Sequence, residues 1–163
     1  MRVLNLDPGT IKCGLSILES ADNKIKLIDS VQLILQGKSL EARLYFLFNF
    51  LDEYLTKYPV DEVALEETFV APIGKFNLDA PLKLSMARGI VWAIAGKYNL
   101  KVFEYSNGDV KKSITRNHSA TKQMIIKQIT QIFGKNGKVF EEDEADSIAI
   151  GITHLMARKL QNT

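Results

Sequence analysis

The chain has a single cysteine, Cys13, which rules out an intrachain disulfide. A lone thiol suits a reducing compartment, and a cytoplasmic protein is expected. No His–Cys signature surrounds Cys13, so it reads as small core filler. No apolar run approaches the ~20 residues of a membrane span. The N-terminus lacks the basic region and apolar stretch of a signal peptide. Repeats and low-complexity segments are missing as well. What remains is 163 residues, 46% hydrophobic and 25% charged, which fits one globular domain over 1–163 with a real core.

The net charge of +2 is unevenly spread. Between Lys97 and Lys138 stand nine Lys or Arg and only two acids, Glu104 and Asp109. This excess, which includes Lys111, Lys112, Arg116 and Lys122, is a local basic field. It reads as a solvated helix face or, beside a nuclease-like site, as a surface for backbone phosphates.

The organising stretch is Arg2 to Gly14, RVLNLDPGTIKCG. An apolar-rich run ends in Asp7, then in Pro8-Gly9-Thr10, which predicts a short buried strand delivering one carboxylate to its C-terminal lip. Gly14–Ser20 and Lys24–Leu35 read as two further strands, making an antiparallel meander. Leucines and Phe48 between Leu40 and Leu55 recur at helical spacing after the candidate cap Ser39. Val60–Thr68 predicts a fourth strand with Glu66 and Glu67 at its end. Side chains alternate along a strand, so only one of those glutamates can share a face with Asp7. A helix over 80–98 and a strand over 100–105 follow, then a polar, basic loop from Ser106 to His118. Ser119 is expected to cap a helix from Ala120 to Phe133, with Lys122 set against the helix dipole. That placement suggests an anionic partner from outside the chain. On the last helix Asp143 and Asp146 project from one face, and Asp146 runs straight into the burial-prone Ser-Ile-Ala-Ile.

One Asp ending strand 1, one Glu ending strand 4 and two Asp on the C-terminal helix cannot converge without repulsion of several kcal/mol unless cations neutralise them. Oxygen ligands select magnesium, manganese or calcium. Two magnesium ions would suit phosphodiester cleavage.

The ordered motifs resemble the RuvC family of Holliday-junction resolvases, within the ribonuclease H-like superfamily. They are LxLDPGTxxxG from Leu4, ALEExF at 64–69, LKLxxARG at 82–89, VFEY at 102–105, VK at 110–111, the Ser119–Lys122 turn and DEADSIAIGITH at 143–154. The resemblance implies an α/β fold: a five-stranded mixed sheet, three antiparallel strands then two parallel, flanked by helices. It implies a crossover junction endodeoxyribonuclease that makes paired symmetric nicks with two Mg2+ per subunit, Mn2+ substituting. The family's metal-binding carboxylates fall on Asp7, Glu66, Asp143 and Asp146. Asp143 is the most replaceable, since some members carry His there. The family's DNA-contacting lysines fall on Lys111 and Lys122, and a junction-facing aromatic falls on Phe69. The 82–89 helix is similar to the family's dimerisation helix. Implied partners are four-way junction DNA, a second copy of the chain and a branch-migration motor complex, with no membrane.

The loop between Phe69 and Leu82 is about four residues longer than in bacterial relatives, which leaves room for a broader, phage-type branched-DNA nuclease. A ribonuclease H acting on RNA–DNA hybrids would use the same metals. A sugar-kinase-like phosphotransferase would need a second such domain, and a non-catalytic DNA-binding module would not need four acids. His154 reads as a structural histidine and His118 as a loop residue near phosphate.

Overall fold

The computed structural model describes residues 1–22, 24–67, 79–134 and 137–161. Strands β1 (Arg2–Asp7), β2 (Lys12–Ala21) and β3 (Lys24–Ile34) form the expected antiparallel meander. Helix α1 (Leu40–Lys57) then crosses to β4 (Glu62–Glu66), which pairs parallel with β1. Helix α2 (Asp79–Lys97) leads to β5 (Lys101–Tyr105), parallel to β4. The sheet is the expected five-stranded mixed one, three antiparallel strands then two parallel, in the order β3-β2-β1-β4-β5. Helices α3 (Asn107–Thr115), α4 (Lys122–Phe133) and α5 (Glu142–Gln161) complete the described chain.

Two local expectations are corrected. Residues 107–115 are helical, not loop. Ser106 caps them by accepting the Asp109 amide at 3.1 Å, and Arg116 ends them in the left-handed region at φ 60°. Val110 is the helix's one buried residue, and the polar remainder hid the helix. The next helix starts two residues late, because Thr121 rather than Ser119 accepts the Met124 amide. Ser119 sits in a turn instead, its amide held by Asn117 at 2.9 Å.

The sheet divides two apolar cores. Leu4, Leu6, Val63 and Leu65 face α1 and α2, while Val3 and Ala64 face α4 and α5. Helix α5 is buried almost continuously from Ser147 to Leu155. It can lie that close because of two glycines. A Cβ on Gly14 would stand 1.7 Å from the Asp143 carbonyl oxygen, and one on Gly151 would stand 2.4 Å from Asn5 Nδ2. Buried Asn5 is tied across the sheet by bonds from its amide to Ser16 O and Oγ, both at 3.2 Å.

The C-terminal end of α5 is pinned by a polar network. Buried His154 meets Glu62 through Nε2 and the Tyr105 hydroxyl through Nδ1, both at 2.8 Å. Burial lowers its pKa, against the pull of Glu62, so the neutral ring donates to Glu62 and accepts from Tyr105. Arg158 adds a 2.7 Å bond to the other Glu62 oxygen. His154 is thus structural, as its sequence context suggested.

Gly14→Ala should cost about 1–3 kcal/mol of stability, because a backbone oxygen cannot yield as a side chain would. Gly96→Ala, with nothing within 4 Å of its Cβ, should stay within about 1 kcal/mol of wild type. Urea unfolding of both variants checks this, and equal midpoints would contradict the close-approach account.

Candidate functional site

Alternation along β1 puts Val3, Asn5 and Asp7 on the α5 side of the sheet. The same alternation along β4 puts Glu62, Ala64 and Glu66 there too. Asp7 and Glu66 therefore end neighbouring parallel strands on one face. Glu67 lies beyond β4, exposed, its amide bonded to the Tyr105 carbonyl at 2.7 Å. Two groups fix Glu66. Asn107 Nδ2 donates to Oε1 at 2.5 Å, and Arg88 from α2 donates to the Glu66 carbonyl at 2.5 Å.

Helix α5 brings the other two acids. Asp7 is paired in register with Gly14, and Gly14 is where the backbone of Asp143 touches the sheet. The absent Cβ thus seats the first turn of α5 over the lip of β1. Asp146, one turn on, lines a cleft with Glu66, Asn107, Lys111 and Lys122. Its volume of about 50 Å³ has room for ions and a few waters, not for a nucleobase.

The four acids feel one another. Burial, then Asp146, Glu66 and Asp143, push the Asp7 pKa from 3.8 up to about 7, with Lys122 opposing. Burial also pushes Asp146 up to about 6, where Lys122 again opposes and Glu66, Glu142 and Asp143 add to the rise. Of the three lysines that pair with acids of α5, two, Lys12 and Lys122, meet the candidate ligands. Lys12 Nζ stands 2.7 Å from Asp143 Oδ2. Lys122 Nζ bonds Glu142 and stands 3.7 Å from Asp146 Oδ2. The sequence reading gave Lys122 an anionic partner outside the chain, whereas here its partners are acids of α5.

The basic run does not form one surface. Lys97 pairs with Asp52 at 2.6 Å on the α1–α2 side, and Lys138 pairs with Glu144 at 2.8 Å. Lys101 begins β5, at the end away from Glu66. Lys111 and Lys122 line the cleft, while Lys112 on α3 and Arg116 at its C-cap are exposed nearby in the chain. Phe69 and the long loop over 70–78 lie outside the described residues. Sequence reasoning missed Asn107, Arg88 and Lys12. Asn107 was hidden by the unrecognised start of α3. Arg88 stood inside a quoted motif with no role attached. Lys12, five residues after Asp7, fell between the two strands read from the sequence and drew no role.

The donor set suits a hard divalent ion: four carboxylates, all oxygen, with Asp143 Oδ2 buried and lacking an aligned hydrogen bond. Among the described residues no three acidic, histidine or cysteine side chains converge at metal-ligand spacing. Two of the four acids are instead met by ammonium groups, Asp143 by Lys12 and Asp146 by Lys122. In donor chemistry the residues fit a divalent ion.

The sequence model described as "Crossover junction endodeoxyribonuclease RuvC" matches residues 3–154. A protein of that name from Brachyspira hyodysenteriae is 30% identical, with 99% of this chain and 98% of the relative covered. One from Helicobacter pylori is 32% identical, with 98% and 99% covered. Among solved structures, Thermus thermophilus RuvC superposes with a TM-score of 0.81 at 22% identity, over 99% of this chain and 97% of that one. The same protein in complex with Holliday junction substrate gives 0.86 at 22% identity, covering 99% and 96%. With the expected mixed sheet and a match running from β1 to His154, the chain belongs to the RuvC family of crossover junction endodeoxyribonucleases.

Proposed function

We propose that the chain resolves four-way DNA junctions as a homodimer, each subunit nicking one strand with two magnesium ions. The observation that carries the reading is that Asp7, at the end of β1, lies within the field of Glu66, Asp143 and Asp146, beside two lysines at one end of the sheet. Asp7, Glu66, Asp143 and Asp146 would hold the ions, and manganese would substitute. When bound, the ions would activate the attacking water and stabilise the departing 3′-oxygen. Asn107 and Arg88 orient Glu66, one through its carboxylate and one through its backbone. Lys111 and Lys122 would hold backbone phosphates, with Lys112 and Arg116 extending that surface outward, and Phe69 would stack on an unpaired base. Delivery by a branch-migration motor belongs to the same reading.

The dimer proposal rests on α2. Leu82, Met86 and Trp92 are 58%, 51% and 49% exposed, and Gly89 and Ala93 are exposed between them. An apolar stripe with small residues at its centre suits close approach of an identical helix. Two sites related by a two-fold axis would match two strands of like polarity in an open junction.

Asp7→Asn should leave junction binding within a few-fold and cut cleavage by more than about 100-fold, the usual ceiling for losing an outer partner. Gel shift and nick mapping on a mobile synthetic junction read both. Preferential cutting of an RNA–DNA hybrid, or an active Asp7→Asn variant, would overturn the reading.

Met86→Glu should give a monomer in light scattering and turn paired incisions into uncoupled single nicks. A variant that stays dimeric would remove α2 from the interface.

Raised pKa values mean that the metal-free folded state keeps protons on Asp7 and Asp146 that the unfolded chain has released. That contribution to stability is full below the ordinary carboxylate value of 3.8 and is lost as pH rises through about 6 and about 7. Divalent ions favour the ionised form and act the other way. In EDTA the Tm should fall from about pH 5 to about pH 8, and the gain on adding magnesium should grow over the same interval. An equal magnesium gain at both ends would contradict the assignment.

A further inference from the structure

Lys12 has no part in the chemistry above, yet it makes a close contact with it. It is the first residue of β2, immediately after the turn that follows Asp7. Its side chain is 49% exposed, while that of Asp143, the partner at 2.7 Å, is 13% exposed. The contact is a close ion pair, and the Lys12 ammonium is the cation that meets the buried Asp143 Oδ2. The charges that act on Lys12 come from Asp143, then Glu142, with Lys122 opposing. Its stem of four methylenes reaches the site from solvent, so the ammonium can leave without disturbing the core.

An ammonium at that distance and a divalent ion on the same carboxylate repel each other. Both are hard cations, and each would lie well inside the other's field. Resting on the metal-site reading above, we infer that Lys12 is a placeholder cation: it neutralises Asp143 in the metal-free protein, and ion binding at Asp143 is an exchange that expels the Lys12 ammonium. Divalent affinity is therefore set lower than the four carboxylates alone would give. Glu142 offers the displaced ammonium a second anchor on the rim of the site, which keeps it local. The turn is short and Lys12 is fixed in the β2 ladder opposite Ile34, so its reach is constrained by the backbone rather than by a mobile loop.

Manganese titration followed by the EPR signal of the free ion tests this on the whole chain. Lys12→Met should bind Mn2+ about ten-fold more tightly than wild type. Lys12→Arg should bind no more tightly, because it restores the competing charge. Asp7→Asn should weaken binding whichever residue stands at 12. If Lys12→Met binds no more tightly while Asp7→Asn still weakens binding, the placeholder is wrong and the metal site stands. If Asp7→Asn leaves Mn2+ binding unchanged, the metal reading falls and the placeholder with it. A second readout needs no Lys12→Met protein. In wild type with 13Cε-labelled lysine, the resonance missing from Lys12→Arg should move on adding Mg2+, and one that stays put overturns the exchange.

Discussion

Asp7 ends a strand that is buried on both faces, and its carboxylate shares that end of the sheet with Glu66, Asp143 and Asp146. Like charges that burial brings together repel more strongly than they would in water. Everything near them answers to that repulsion. In the metal-free protein Asp7 and Asp146 keep protons to higher pH than ordinary carboxyls, which relieves part of it below about pH 6, and Lys12 and Lys122 relieve more. A protein that only needed stability would not keep four acids there. Replacing them with apolar residues would remove both the repulsion and the need for counter-ions.

The fold holds this arrangement by rigid means. Two acids end parallel strands whose spacing is set by the hydrogen-bonded ladder. The other two ride on α5, which is locked against the sheet at three levels. Gly14 admits the helix start, Gly151 admits its middle over Asn5, and the His154–Glu62–Arg158 network secures its end. Carboxylates so placed can reorient by rotating side chains while their backbones stay fixed. That is the behaviour the proposed exchange of a lysine for an ion requires.

Much of this was legible in the sequence because it depends on short-range rules. Val3 to Asp7 followed by Pro-Gly-Thr reads as a strand with an acid at its lip, and the sheet order follows from the meander and the helical crossover. The spacing of Asp143 and Asp146 speaks for itself on a helix. What stayed hidden depends on contacts between distant segments. Helix α3 buries too little apolar surface to show a period, and with it went the bond from Asn107 to Glu66. The basic run from Lys97 to Lys138 looked continuous in sequence but breaks up in space, since Lys97 pairs with Asp52 and Lys138 with Glu144 while Lys111 and Lys122 line the cleft. Lys12 could not be seen at all, because its meaning comes from a residue 131 positions away.

The central claim is that four separated acids form one ion-dependent centre. A crystal structure of the protein soaked in manganese, with anomalous scattering used to locate the ions, tests it most directly. The account predicts manganese peaks at the lip of β1, coordinated by oxygens of Asp7, Glu66, Asp143 and Asp146, with the Lys12 ammonium moved off Asp143. Peaks bound elsewhere, or a manganese-saturated crystal in which Lys12 and Lys122 keep their present partners and no ion sits among the four acids, would contradict it.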